Sequence, residues 1–558
     1  MFIYSKATEF KKKISDVEGS LGLVFDSSPS FFKTGDHAEL SLWLKKKDCD
    51  LQDSISLYAE DISHQINAFF DQVNQEDPKR LFSFTSKVIL SIKNYPEIQK
   101  IFLINSFIKK SQSSNLIIFC DDQEICSLLK SIFFGKKKFI FKLPSLYAWL
   151  RFFKTFLRVF FSYKPKKKAT RLLLTLSNSF SSNIPDTYFG DLPLSLSNDD
   201  STIIVYICAG KQLVFRRKAN VLPLESFSTL DDVLIAWFRT IAECFLLPFK
   251  TANSSNNLLF YELSKFIRNV EVKNGDFFYQ FFLKRSFHRL FFALKPSVLI
   301  YPFENRNWEK LLLLSAYEAQ CLETVAYQHS SITPRHLSLR ISSNGFNPKE
   351  YPKKIITVGR FTFDWLRNNS PVIADRLIIG GSLRKIKANL TLPESKGILV
   401  AISSSFYEAN RMLMVMNDLC KKTNKHIPII IRPHPTINID PLFNSMTWPN
   451  STKLSKNKEL NKDILESQVI IYSSSTVAIE GMLSGRIPIF LNIGDHPSGD
   501  PLLGKANFSA SCAGEILSIL KKIDGFTKAE LKKNQKAVIK FSETYLHSIK
   551  SEEFLELL

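Results

Sequence analysis

The sequence predicts an α/β protein made of two parallel-sheet domains in tandem. Short apolar runs alternate with amphipathic segments from about residue 85, and a second series of such runs opens near residue 353. Polar residues suited to chemistry collect where these runs end. Run, amphipathic segment, run is the rhythm of βαβ units, and open α/β sheets hold ligands beyond the carboxyl ends of their strands.

Size and composition agree. A chain of 558 residues is long enough for two or three domains, and 45% apolar residues, 48 of them Phe, supply a sizeable core. Charged residues at 23% exclude neither solubility nor folding. Lys and Arg outnumber Asp and Glu by 74 to 53, and the net charge of +21 favours polyanions, anionic lipid surfaces or phosphate-bearing ligands without choosing among them. The eight Cys form no CxxC pair and no Cys/His group at metal-ligand spacing, so no disulfide framework or zinc site is expected. The apolar run near the N-terminus is too short for a signal peptide, and no stretch reaches the roughly 18 apolar residues of a membrane span. The expected location is the cytoplasm, or the inner face of its membrane.

Along the chain, residues 1–80 read as a polar extension with helical patches such as Leu51 to Val73, and without a motif. The first domain is expected over 81–345. KIFLINSFI and NLIIFC open its strands, RLLLTLSN and STIIVYICAG continue them, and a long helical stretch runs from Leu230 to Phe292. Residues 136–168 form an insertion. At 100° per residue Trp149, Phe152, Phe153, Phe156 and Phe160 share one helix face and Arg151, Lys154 and Arg158 the opposite one, with KKK runs on both flanks. Such a helix suits an anionic membrane interface, aromatic face down; the alternative is a core helix with a basic solvent face. The second domain is expected over 346–526, from KKIITVG through GILVAIS, PIIIRPHP, VIIYSSS and IPIFLN. A closing helix over 527–558 begins with the capping box Thr527-Lys-Ala-Glu530.

Two segments carry the strongest chemical signals. In VIIYSSSTVAIEGMLSGRIPIFL the strand Val469 to Tyr472 passes through Ser473, Ser474, Ser475 and Thr476 straight into a helix, converging hydroxyls and backbone N–H groups where a phosphate fits. Glu480 follows one turn later, placed to accept hydrogen bonds from ribose hydroxyls; the alternative is an ordinary Ser/Thr N-cap. In Ile429-Ile430-Ile431-Arg432-Pro433-His434-Pro435 a buried run ends in a guanidinium and an imidazole stiffened by prolines, which suits a leaving phosphate. Both side chains are expected to point away from the core. Candidate general bases are Glu304, His329 and Asp186, with Glu309 and Asp191 read alternatively as a helix N-terminal acid and a turn residue. The pairs Asp121-Asp122 and Asp199-Asp200 read as loop residues, and no DxD-like pair stands where a metal would bridge a diphosphate. No metal or other cofactor is expected.

RPHP followed by SSSTVAIEGMLSGRIP resembles the nucleotide-binding half of GT-B glycosyltransferases, especially bacterial sialyltransferase-like and Kdo-transferase-like enzymes. DTYFGDLP, YPFENRNWE and YQHSS extend the resemblance to bacterial surface-carbohydrate biosynthesis proteins. It implies two Rossmann-like domains facing a cleft. It also implies that His434 contacts the donor phosphate, that Ser474, Ser475 and Thr476 bind phosphate, and that Glu480 binds ribose. The expected function is a metal-independent, inverting transfer of sugar from a CMP- or UDP-linked donor to a surface polysaccharide (lipopolysaccharide, O-antigen or capsule) or a lipid-linked oligosaccharide. Alternatives are a teichoic-acid-type CDP-glycerol glycerophosphotransferase, using His329 and His434, and a non-catalytic basic protein binding membrane or nucleic acid. No RNA-binding signature supports nucleic acid as a partner.

Overall fold

The computed structural model describes residues 144–558 apart from 164, 166–167, 177–184, 208–219, 246–257, 335, 344–345, 385–396, 405, 424–426, 458–459 and 494–497. Before residue 144 it describes 2–4, 21–25, 65, 68, 101–102, 116–120 and 123–134. The pair Asp121-Asp122 and the lysines Lys136, Lys137, Lys138, Lys164, Lys166 and Lys167 lie outside the described residues, as does most of the stretch Leu51 to Val73.

Among the described residues three sheets organise the chain. The largest has seven strands: β4 (Arg171–Thr175), β5 (Thr202–Tyr206), β6 (Val221–Pro223), β7 (Val298–Pro302), β8 (Glu323–Gln328), β9 (Lys354–Thr357) and β10 (Leu377–Ile379). Their order across the sheet is β10-β9-β8-β7-β4-β5-β6. The second has β11 (Ile398–Ala401), β12 (Ile429–Arg432), β13 (Thr452–Leu454), β14 (Val469–Tyr472), β15 (Ile487–Leu491) and β16 (Phe508–Ala510), in the order β13-β12-β11-β14-β15-β16. Numbered within itself, the six-stranded sheet reads 3-2-1-4-5-6 and the seven-stranded one 3-2-1-4-5-6-7, the doubly wound order of Rossmann-like folds with one further edge strand in the second case. The two-domain α/β architecture expected from the sequence is present. By compactness the chain divides into one unit of residues 1–328, 337–355 and 369–376 and another of 329–336, 356–368 and 377–558.

The strands of the second sheet are parallel throughout and its central ones are fully buried. A parallel sheet covered on both faces needs apolar residues at every position, and ILVA and VIIY supply them. Alternation then sorts them. Ile398, Val400, Ile431, Ile471 and Ile489 pack with Met412 and Met416, whereas Leu399, Ala401, Ile470 and Tyr472 pack with Ile479, Met482, Val538 and Tyr545. The closing helix Lys528–Tyr545 starts with the expected capping box: Glu530 N donates to Thr527 Oγ1 (3.2 Å) and Thr527 N to Glu530 Oε2 (2.8 Å).

Three sequence expectations change. NLIIFC does not open the large sheet: β3 (Leu116–Cys120) lies between β1 (Phe2–Tyr4) and β2 (Leu21–Phe25) in a separate parallel sheet of three strands, so the N-terminal extension contributes strands as well as helix. KIIT belongs to the seven-stranded sheet, and the six-stranded sheet begins at Ile398 and includes the short strands β13 and β16. A buried apolar run carries no label for the sheet it joins. The stretch from Leu230 to Phe292 is three helices, Leu230–Phe245, Leu258–Asn274 and Asp276–Leu294. The last two break at Gly275, whose φ of 70° favours glycine and whose added Cβ would stand 3.0 Å from the Ala148 backbone.

The helix Leu146–Phe161, here α1, forms as expected but sits rotated by about 90° from the orientation read off its helical wheel. Phe152 is buried against Trp237 and Phe278 rather than presented outward. The basic side faces inward: Arg151 pairs with Asp276 (2.6 Å) and stacks over Tyr279, and Arg158, 5% exposed, lies 3.7 Å from Glu225. Of the apolar residues assigned to the membrane face, Trp149, Phe153 and Phe160 are exposed.

Candidate nucleotide-binding site

In the six-stranded sheet the strand order reverses direction between β11 and β14, and the crevice beyond their carboxyl ends is where this topology holds ligands. Three segments reach it: Ile402 to Ser404 after β11, Pro433 to Thr436 after β12, and Ser473 to Thr476 after β14. The first was not singled out in the sequence, although its serines follow a buried strand as those after β14 do.

The loop after β14 is held from below and from the side. Tyr472 Oη donates to Asp500 Oδ1 (2.9 Å), and Asp500 also accepts from the backbone of Leu502 and Gly504. Ser473 and Ser475 are buried, and Ser475 Oγ accepts from Val477 N (3.3 Å). Ser474 Oγ donates to Glu408 Oε2 at 2.8 Å, which ties this loop to the first turn of the helix Phe406–Lys422 that follows β11. Thr476 occupies the N-cap position of the short helix Val477–Leu483 without a side-chain cap hydrogen bond, and it is the Ser475 hydroxyl that accepts from the first helical amide. Glu480 lies in that helix. Burial pushes its carboxyl above the usual carboxylate range, and the positive charges of Arg384 and Arg432 pull it back.

Arg432 and His434 differ from expectation in opposite ways. One guanidinium nitrogen of Arg432 donates to Asp463 Oδ2 at 2.5 Å and to the Asn457 carbonyl at 3.3 Å. Asp463 is fully buried and also accepts from Ser455 and Asn457, so Arg432 neutralises an internal carboxylate as well as facing Glu480. The expectation that the Arg432 side chain points away from the core is thereby corrected: its buried partner lies 31 residues later in the chain. His434 is half-buried, which lowers its imidazole below the ordinary histidine value. Its Nδ1 accepts from the Thr436 backbone N–H (3.3 Å) and lies 2.8 Å from Thr436 Oγ1, leaving Nε2 to carry the ring proton in the neutral form.

The base candidates separate clearly. Asp186 is buried, and its carboxylate accepts from Thr175 Oγ1 (2.8 Å), Tyr188 N (2.7 Å) and Phe189 N (2.8 Å). Saturated in this way it builds a turn at the end of β4, and its placement as a base is corrected. Glu309 likewise accepts from the backbone of Glu304, Asn305 and Arg306, the helix N-terminal alternative; burial pushes its carboxyl up to about 8. The loop it holds carries Asn305 at a φ of 54° and presents Glu304, which is ion-paired with Arg306. His329 is buried at the end of β8, and its carbonyl accepts from Arg384 Nη2 (3.1 Å). Arg384, Glu408 and Asp463 are site residues that sequence reading missed; each lacks a motif, and only the fold brings it near. Among the described residues no group of three or more His, Cys, Asp or Glu is arranged to hold a metal ion.

No protein-family model and no curated protein matches the chain. Among solved structures, similar ones include a glycotransferase of kitacinnamycin (8% identity, 70% of this chain and 98% of that one, TM-score 0.40). Others are a UDP-GlcNAc 2-epimerase from Neisseria meningitidis bound to UDP-GlcNAc (11%, 70% and 98%, 0.38) and the lipopolysaccharide outer core galactosyltransferase WaaB (10%, 69% and 98%, 0.39). At such low scores the fold rests on the strand orders described above and not on these likenesses.

Proposed function

We propose that the chain is a glycosyltransferase that carries sugar from a nucleotide-linked donor, with the nucleotide at the ends of β11, β12 and β14. The observation that carries this reading is the arrangement around Glu480: a mostly buried carboxylate with two arginines, Arg384 and Arg432, acting on it, one turn after a serine/threonine loop at a switch point. A carboxylate accepts hydrogen bonds from a ribose diol, and arginine charge with His434 Nε2 compensates a leaving phosphate. In the proposed reaction the acceptor hydroxyl oxygen bonds to the anomeric carbon as the bond from that carbon to the phosphate oxygen breaks. The hydroxyl proton passes to a base, for which Glu304 and His329 remain the candidates.

The finer parts of the proposal are a metal-independent, inverting course, a CMP- or UDP-linked donor, and a surface-polysaccharide or lipid-linked acceptor. A peripheral position on the inner face of the cytoplasmic membrane, where such acceptors are confined, belongs to the same proposal. Thermal melting with CMP, CDP, UDP, GDP and CDP-glycerol tests the core of it, because a ligand that binds only the folded state raises stability by mass action. Stabilisation by none of them overturns the proposal, and stabilisation by CDP-glycerol alone turns it to glycerophosphate transfer.

Two predictions belong here. Glu480→Ala should weaken binding of the stabilising nucleotide by about tenfold or more, the scale of one charge-assisted hydrogen bond, and Thr476→Val should add a smaller loss. Calorimetry showing both variants at parental affinity would move the site elsewhere. Glu304→Gln should lower kcat and leave nucleotide affinity unchanged, since a base acts in the transition state and not on the bound donor. An equal loss in both quantities would instead mark Glu304 as a binding residue.

A further inference from the structure

The largest feature that the proposed reaction does not use is the outward face of α1. Leu146, Leu150, Phe153, Leu157, Phe160 and Phe161 are all exposed, between 39% and 77%, and at 100° per residue they form one continuous stripe. A second helix, Leu230–Phe245 (α2), packs Trp237 onto Trp149 and Phe152 and leaves Ile235 and Phe238 exposed at 47% and 65%. Soluble chains seldom present so many large apolar side chains side by side unless the surface has a partner.

The exposure is built in. Rotating α1 to hide the stripe would bring Arg151 away from Asp276 and Arg158 away from Glu225, stranding carboxylates that are themselves mostly buried. Backbone contacts hold the same pose. Ser145 caps the helix by accepting from Ala148 N and donates to the Lys273 carbonyl (2.6 Å), and Ala148 rests on Gly275 where no larger residue fits. The helix thus packs Ala148, Phe152 and Val159 inward with Arg158 among them, and presents a second apolar face outward.

We infer that the exposed stripe of α1, with Ile235 and Phe238 of α2, docks on an anionic lipid bilayer, lying in the headgroup boundary without crossing it. A helix of 16 residues is too short to span, and no described helix is long and apolar enough to do so. Charge selects lipid over a second copy of the chain. In the sequence Lys136, Lys137, Lys138 and Lys142 precede α1, and Lys164, Lys166, Lys167 and Lys168 follow it. Flanks that are this basic in sequence suit an anionic surface, which neutralises them, better than a second copy carrying the same lysines. Tyr147, Trp149 and Tyr163, exposed near the two ends, are the residue types that favour the polar edge of a bilayer. The inference rests on the peripheral position proposed above and names the surface that provides it; it does not depend on the sugar-transfer reaction.

Flotation of the full chain with phosphatidylglycerol/phosphatidylcholine vesicles tests it. The parent should float, and Leu150→Ser, Phe153→Ser and Phe160→Ser combined should lower the bound fraction about tenfold or more at an unchanged melting temperature, since all three side chains already face solvent. Vesicles of phosphatidylcholine alone should hold less of the parent. Brominated lipid should quench part of the tryptophan emission, and that part should vanish in Trp149→Phe; this readout stands even if the triple variant fails to fold. Parental flotation by the folded triple variant, or quenching that survives Trp149→Phe, overturns the inference. A parent that ignores vesicles and sediments as a dimer, with the triple variant monomeric, overturns it in favour of a second copy.

Discussion

Replacing His434 by alanine should lower turnover by about 10²-fold or more, the usual loss when one preorganised donor to developing negative charge is removed. Stability should barely change, because the imidazole is half-buried and bonds only to Thr436 close by. The same variant should alter the pH dependence of nucleotide binding. In the free protein burial holds the imidazole below its ordinary value, so it is neutral at pH 7. A phosphate placed against Nε2 favours the imidazolium and raises its pKa in the complex. Affinity should therefore rise as pH falls through the bound-state pKa and level off below the free-state one. Calorimetry across pH 5 to 8 measures this slope, and His434→Ala should flatten it. Parental kcat in the variant would remove His434 from the site.

Arg432→Ala should destabilise the fold by about 3–5 kcal/mol, the range found when one member of a buried ion pair is deleted. The cause is Asp463, fully buried and left charged without its guanidinium. The companion Asp463→Asn removes that charge and keeps a side chain able to bond Ser455 and Asn457. The double variant should recover much of the lost stability but not nucleotide affinity, because the positive charge acting on Glu480 remains absent. Urea melts of the two single variants and the double test the coupling. Additive losses would mean that Arg432 and Asp463 do not depend on one another.

These two residues mark the boundary of what the sequence discloses. RPHP after a run of isoleucines locates a rigid turn at a strand end, because burial and proline geometry are local properties. What Arg432 touches is not local. Asp463 sits in an unremarkable helix, LNKDIL, and only the parallel pairing of β12 with β13 brings that region beneath the arginine. Glu408 and Arg384 were overlooked for the same reason. The orientation of α1 failed differently: a helical wheel separates two faces but does not say which one turns inward. Here buried Glu225 and partly buried Asp276, both remote in sequence, draw Arg158 and Arg151 toward the protein beside Phe152, so the inward face mixes the two sides of the wheel. Strand membership followed the same logic, since KIIT and ILVA look alike as strings and differ only in the neighbours that the topology gives them.

The two sheets share one wiring diagram but furnish their switch points with opposite polarity. At the end of β4 and β7, Asp186 and Glu309 turn their carboxylates back on the backbone N–H groups of their own loops. Those amides already have an internal carboxyl group as their ligand. In the six-stranded sheet the nearby carboxylates take side-chain partners: Glu408 accepts from the Ser474 hydroxyl after β14, and Asp463 from the Arg432 guanidinium at the end of β12. A repeated fold thus becomes unequal through where its acids point: in one sheet they close their own loops through the backbone, and in the other they tie strand ends to neighbouring segments through side chains.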